Sequence, residues 1–440
     1  MGDNGENRDE SGNQLESHSS LPFNSNGNRH SDDIQVPVNV DKDSPSDAND
    51  QNTSEHTVDK VPTIQKQPSS DSDMPESLND NGISYEDGEA DLIELLLAKQ
   101  SGETAKLLDR LLGCAYGQAL GDAYGLATEF EDRALVRQNY PDPAKLIPFP
   151  DYISTHHNRR WARGDWTDDT DQWILILETL MESDGDVQLF AKKLKSWIQK
   201  GYPELGDHGG MGLGANVSQV VHSTGYLTDP LAASEAVWIR SGRQAAPNGA
   251  VMRCSASALV HFQDKDKMTD TTMNMCKVTH FDPRCLASCL AVCLTITYLL
   301  NEKDENVDIE SLIERAQKET IDILGDQLST AHRDAFLWHT DKNRTLEDLN
   351  LDEPNSIGYT YKCLGSGFYG LRSNRSFEKT LNDLIRYGGD ADTNGAVCGT
   401  MFGARYGYKK LPKEWLRVTP YKKWFDKKLI KCLKQMKIIN

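Results

Sequence analysis

Two short acidic runs hold the side chains best suited to chemistry. The first is Trp166-Thr167-Asp168-Asp169-Thr170-Asp171, and the second is Gly388-Gly389-Asp390-Ala391-Asp392-Thr393-Asn394. Each places carboxylates and a hydroxyl on what reads as the opening turn of a helix. The first runs into Trp173, Ile174, Leu177, Leu180 and Met181 at helical spacing, and the second into a stretch that ends near Gly407. Carboxylates at a helix start often do no more than cap it and meet the macrodipole, and either run alone reads that way. The pair, more than 200 residues apart but alike, supplies hard oxygen ligands with no histidine or thiolate alongside. That donor set favours Mg²⁺, Mn²⁺ or Ca²⁺ over zinc or copper. Four converging carboxylates would repel one another without a cation. Two divalent ions bridged by shared carboxylates would remove the repulsion and could template a substrate.

The elements that must position these runs are helical. A helix pattern starts near Asp91, another near Thr104, and apolar residues recur at three-and-four spacing to about Tyr408, while alternating strand-like runs are nearly absent. The expected fold is all-α, a compact bundle of many helices crossing at varied, orthogonal angles. Asp282-Pro283 before Arg284 to Leu300 is a clear helix start. Two segments carry glycines every fourth residue: Gly113, Gly117, Gly121 and Gly125, then Gly395, Gly399, Gly403 and Gly407. Each helix-interior glycine costs roughly 0.8–1 kcal/mol relative to alanine, so a smooth face used for very close helix contact is the expected compensation.

Charge divides the chain into parts. Residues 1–90 hold 20 Asp or Glu against 5 Lys or Arg, a net of −15, with Phe23 and Tyr85 as their only aromatics. Such a segment cannot bury enough apolar surface to offset its ordering entropy and is expected to be disordered. The folded domain is then expected over 91–440. Within it, 91–408 nets −13, and 409–440 carries 11 Lys or Arg against 2 acidic residues, read as a tail with a solvated basic helix face. This balance argues against a nucleic-acid-binding protein. The nine scattered cysteines include no Cys-x-x-Cys pair, which is reduced, intracellular usage, and the expected location is cytoplasmic with the nucleus open. Cys285, Cys289 and Cys293 stack on one helical face as buried small hydrophobes. No signal peptide is read at the polar N-terminus, and the longest largely apolar run, Leu286 to Leu300, is 15 residues, a core helix rather than a membrane span.

Five segments, in order, give the chain a resemblance to the ADP-ribosylglycohydrolase family, over about residues 105–410. They are Gly117-Gln-Ala-Leu-Gly-Asp-Ala-Tyr-Gly-Leu-Ala-Thr-Glu129, Trp166-Thr-Asp-Asp-Thr170, Gly209-Gly-Met-Gly-Leu-Gly214, Asn248-Gly-Ala-Val-Met-Arg253 followed by Thr279-His280, and Gly389-Asp-Ala-Asp-Thr393. The resemblance implies the family's all-α fold and a centre of two Mg²⁺, with Mn²⁺ possible in their place. It implies hydrolysis of the C1″ bond between ADP-ribose and an acceptor, either a protein side chain or a small conjugate. Its ligands would be Thr167, Asp168, Asp169, Asp390, Asp392 and Thr393, and Glu129 would lie near the scissile bond, with Asp168 and Asp392 also serving the chemistry.

Cleavage at a ribose C1″ builds oxocarbenium-like charge and needs a protonated leaving group and a delivered water. Glycine loops let backbone N–H groups approach a pyrophosphate, and Gly209, Gly210, Gly212, Gly214, Asn248, Gly249 and Ala250 are the candidates. The resemblance places His280 at the diphosphate and Tyr359 near the adenosine, where stacking and a plain core role are both open. Arginine-directed bacterial members carry an acidic residue where this chain has Gly212, with Asp207 and His208 nearby, so arginine, serine, O-acetyl and poly-ADP-ribose linkages stay open. A monomer acting without membrane or nucleic acid is expected. The alternative function is a catalytically silent relative, crystallin-like or binding ADP-ribose without cleaving it.

Overall fold

The computed structural model describes residues 91–303 and 307–440. The expectation for residues 1–90 lies outside them. The described residues form eighteen α-helices joined by short loops and five 3₁₀ turns, and the one β-type pairing among them is an isolated bridge between Pro247 and Tyr359. The all-α reading holds. Asp91 caps the first helix, Leu92–Ala98, by accepting from the N–H groups of Ile93 and Glu94 at 2.8 and 3.2 Å. Asp282 does the same for Pro283–Asn301, accepting from Arg284 N at 2.9 Å, with Pro283 at the first helical position.

Pro283–Asn301 runs through the core. Its 18-residue window has a mean hydropathy of 1.6, enough by length and composition to cross a membrane, yet 94% of that window is buried in the protein. Cys285, Cys289 and Cys293 on this helix are fully buried, and all nine cysteines are buried and unbridged.

The two glycine-bearing segments are the helices Gly102–Gly125 and Ala391–Tyr406, and they pack against each other antiparallel. Gly113 faces Gly403, Gly117 faces Gly399, Gly121 faces Gly395, and Gly125 faces Ala391. A Cβ on any of these four first-helix glycines would run into the partner's carbonyl oxygen. This close approach is the compensation for glycine in a helix, and it has a consequence for chemistry: Asp122 and the turn bearing Glu129 end one helix while Asp390 and Asp392 begin the other. The spacing of the glycine faces therefore sets the spacing of the carboxylates. Gly117→Ala or Gly399→Ala should cost about 3 kcal/mol or more, since neither backbone can yield without moving the other. Thermal melts should fall by several degrees, with activity reduced in parallel.

The basic C-terminal stretch presents the solvated face expected of it, with Lys427, Lys431 and Lys434 exposed, and its other face packs into the core. Helix Lys422–Gln435 buries Phe425, Leu429, Cys432 and Leu433, and its first residue, Lys422, is itself buried, bonding Asp426 at 3.1 Å and Asp91 at 3.0 Å. Lys428 pairs with Glu178 on the helix Asp168–Ser183. Most of its lysines fall on the side that meets water, and the other side is core.

Candidate active site

Helix Asp168–Ser183 starts at the first acidic run and helix Ala391–Tyr406 at the second, and their N-terminal turns meet. The hydroxyl of each run meets a carboxylate of the other: Thr167 Oγ1 lies 3.2 Å from Asp392 Oδ2, sharing its one proton with the nearer Asp122, and Thr393 Oγ1 donates to Asp169 Oδ2 at 3.3 Å. The carboxylates of Asp168, Asp169 and Asp392 are buried. Glu129, Asp390 and Asp392 bring one carboxylate oxygen each within 4.8 Å of one another.

These groups line one end of a cavity of about 600 Å³, within the range of small-molecule sites. Its other walls include Gly212, Gly214, Asn248, Gly249, His280, Gly358 and Tyr359. Two loops build the far wall and are stitched together by Asn248 N to Gly358 O at 2.9 Å and Thr360 N to Ala246 O at 3.1 Å. Asn248 Nδ2 also donates to Asp390 Oδ2 at 2.9 Å, tying that wall to the acidic end.

Burial and like charge dominate the electrostatics of this end of the cavity. Burial, then the charges of Asp122 and Glu129, push Asp168 well above the carboxylate range; burial with neighbouring carboxylates does the same to Asp169 and Asp392. Burial with the charge of Glu129 also raises Asp390. No lysine or arginine is among the residues lining the cavity, and Asp169 Oδ1 is buried with no hydrogen-bond partner. A buried carboxylate oxygen without a donor, among several more, fits hard divalent cations of the Mg²⁺ class.

Asp122 is the residue the sequence reading passed over, although it lies inside the first family-like segment. Fully buried, it accepts from Thr167 N and Oγ1 at 3.0 and 2.9 Å and from Thr170 N and Oγ1 at 2.9 and 2.6 Å. It holds the first turn of helix Asp168–Ser183 in place. Burial outweighs those four donors and raises its carboxyl to about 7. Asp171, the third aspartate of the same run, turns away: its two oxygens accept from the indoles of Trp166 at 2.8 Å and Trp197 at 3.0 Å.

A second relay runs from Asp168 to the far wall. Gln172 Nε2 donates to Asp168 Oδ2 at 2.6 Å; Arg253, fully buried, donates to Gln172 Oε1 and, at 2.6 Å, to Thr279 Oγ1. Thr279 Oγ1 lies 2.8 Å from His280 Nδ1. The hydroxyl accepts from Arg253 and can give its own proton to Nδ1, in which arrangement the ring proton sits on Nε2. Burial, then the charge of Arg253, lowers His280 well below the usual imidazole range, so the ring is neutral. Its Nε2 is buried, unpartnered and packed against Gly249 at the cavity wall.

Several expected residues are not brought to the cavity. Gly209, Gly210 and Ala250 do not line it; Gly210 packs on the Trp197 ring and Ala250 is buried. Thr167 stands behind the acidic end, as the cap of its helix and a bridge to Asp122. Gly212, with φ +92°, passes so close to Asp168 that a side chain there would collide with Asp168 Oδ1. Asp207 is engaged with Tyr202 N at 3.0 Å and His208 is exposed, and neither lines the cavity.

The body is all-α among the described residues, and two helix starts pool buried carboxylates at the end of one cavity. The ADP-ribosylglycohydrolase family profile matches residues 103–437, and the chain belongs to that family. The match takes in the C-terminal helix, beyond the span of about 105–410 that carries the resemblance. Among relatives, the ADP-ribosylarginine hydrolase Tri1 of Serratia proteamaculans is 24% identical over 311 residues, 70% of this chain and 75% of that one. The ADP-ribosyl-[dinitrogen reductase] glycohydrolase of Rhodospirillum rubrum is 25% identical over 312 residues, 70% of this chain and 89% of that one. A solved ADP-ribosylglycohydrolase-related protein superposes with a TM-score of 0.53 at 22% identity, covering 74% of this chain and 98% of that one, a likeness of fold.

Proposed function

We propose that the protein hydrolyses the C1″ bond joining ADP-ribose to an acceptor, with two Mg²⁺, replaceable by Mn²⁺, held between the two acidic runs. The observation that carries this reading is the pair of hydroxyl-to-carboxylate contacts between the runs at the end of the cavity. Asp168, Asp169, Asp390, Asp392 and Thr393 would hold the ions, with Thr167 bridging behind them. When bound, such ions supply charge neutralisation and a grip on the ribose hydroxyls. The chain's own residues do the rest. Glu129, only 8% exposed at the acidic end, is placed to orient water or to stabilise positive charge at C1″. The Nε2–H of His280 is a donor for a diphosphate oxygen, alongside the backbone at Gly212, Gly214 and Gly249. Tyr359, half-buried in the far wall, offers a face for the adenine.

The retained acidic set favours a hydrolase over a silent or purely binding relative. The experiment that tests this incubates the purified protein and Mg²⁺ with peptides ADP-ribosylated on arginine or serine, with O-acetyl-ADP-ribose and with poly-ADP-ribose. Release of ADP-ribose from one of them is expected; release from none would leave only binding. Relatives named as arginine-linked hydrolases make arginine the first to try, but Gly212 puts no acidic side chain in the loop to meet a guanidinium. Nine reduced, buried thiols accord with work inside the cell, in the cytoplasm.

Cation binding should also appear in melting curves. Saturating Mg²⁺ is expected to stabilise by about 2.7 kcal/mol at 100 times Kd, if it binds only the folded state. The pH dependence in EDTA has a definite sign. Asp122 and the four clustered aspartates have raised carboxyls in the fold, so the native state binds more protons than the unfolded chain. Their contribution to stability without metal is fully present below about pH 4, the unfolded carboxyl range, and is lost as pH rises toward and past 7, the value Asp122 reaches. The gain from Mg²⁺ should grow over the same interval, and a pH-independent gain would count against carboxylate ligation.

A further inference from the structure

Arg253 stands just behind the cavity wall. It ends the 3₁₀ turn Val251–Arg253, whose Met252 lines the cavity while Arg253 itself does not and is fully buried. Its two hydrogen-bonded partners are neutral, Gln172 Oε1 and Thr279 Oγ1, and its Nε is buried with no partner. The guanidinium lies 5.1 Å from the centroid of the Phe190 ring. A buried charge met only by neutral groups costs stability, and an apolar side chain of similar bulk would fill the same space without that cost. Packing therefore does not account for an arginine at this position.

What the guanidinium decides is which way an amide faces. A guanidinium has donors only, so the end of Gln172 turned toward it is the carbonyl oxygen, and the NH₂ end is left for Asp168 Oδ2 at 2.6 Å. With the amide reversed, N–H would face N–H at Arg253 and oxygen would face oxygen at the Asp168 carboxylate. Gln172 is fully buried one turn after Asp168 on the helix Asp168–Ser183, so no water competes for either end. The other oxygen, Asp168 Oδ1, faces Gly212 in the cavity wall. We infer that Arg253 positions Asp168 through Gln172: it sets the amide whose N–H holds Oδ2, so that Asp168 offers Oδ1 to the cations. Arg253 is a positioning residue on this account, touching neither substrate nor cation, and is itself held by Thr279 and the Phe190 ring. The inference rests on the proposed reading of Asp168 as a cation ligand.

Mn²⁺ alone is the probe, titrated into the purified full-length protein and followed by loss of the free-ion EPR signal, so that no turnover is needed. Gln172→Met keeps length and bulk and removes the donor to Asp168; Arg253→Met removes the group that fixes the amide. Each is expected to weaken Mn²⁺ binding roughly 10–100-fold. The double variant should bind no more weakly than Gln172→Met alone, because Arg253 acts through Gln172. Melting without metal should shift by no more than a few degrees. Losses that add in the double variant, or unchanged Mn²⁺ affinity in either single variant, would overturn the positioning role and leave Arg253 a packing residue. Should Arg253→Met fail to fold, Arg253→Gln takes its place under the same expectations, since a neutral amide can turn either end to Gln172. A wild type that takes up no Mn²⁺ would overturn the cation site and this inference together. Equal Mn²⁺ binding by wild type and variants would overturn this inference alone, so the two failures are distinct.

Discussion

Asp168→Asn and Asp392→Asn are each expected to lower turnover by about 10³-fold or more, because each removes a charged oxygen from the proposed hard-cation site, where charge stabilisation is worth several kcal/mol. Asparagine keeps the size of the side chain, and for Asp168 the amide can still meet Gln172. The fold should tolerate the change. Burial, then neighbouring like charges, pushes both carboxyls upward, so neutralising one removes a buried charge and relieves repulsion in the cation-free protein. In EDTA the variants should melt at or above the wild type, and the stabilisation by Mg²⁺ should shrink or vanish. Near-wild-type turnover in excess Mg²⁺ would remove these residues from the cation site. A large drop in melting temperature without metal would instead make them structural caps of their helices.

Glu129→Gln is the second large effect, with turnover expected to fall about 10²–10⁴-fold while ADP-ribose still binds. Glutamine retains the length and can still hydrogen-bond His157, whose Nε2 lies 2.7 Å from Glu129 Oε2. It loses the charge that orients water or stabilises C1″. Single-turnover hydrolysis and ADP-ribose affinity measured on the same variant decide the role. Unchanged turnover would leave Glu129 as a residue of the loop, and joint loss of Mg²⁺ and ADP-ribose affinity would recast it as a ligand. Because Glu129, Asp390 and Asp392 lie close together, the two outcomes differ in which property fails first.

Much of this was legible along the chain because it is local. Helical periodicity, the Asp91 and Asp282 caps and the apolar helix Pro283–Asn301 each depend on residues within a turn or two of one another, and all three stand as read. The two acidic runs were recognisable as oxygen donors from their composition alone, and the fourfold glycine spacing announced a close helix contact. What the tertiary structure decided was partnership. Nothing in the spacing says that Gly117 meets Gly399, and that register alone brings Asp122 and Glu129 beside Asp390 and Asp392.

The same holds within a single motif. Asp168, Asp169 and Asp171 share one helical turn, but two face the cavity while the third is consumed by the indoles of Trp166 and Trp197. Asp122 reads as one more helical aspartate until four donors from a segment 45 residues away converge on it. His157, in a stretch with no motif, acquires its meaning only by touching Glu129. The basic C-terminal helix looked like a solvated face because its charges repeat along the chain, while the surface that receives Phe425 is built by residues far earlier, Tyr116 and Trp173 among them. Side-chain chemistry and local conformation are properties of neighbours in sequence. The role of a carboxylate depends on the direction in which its helix points it and on donors hundreds of residues away, and those are fixed only when the helices pack.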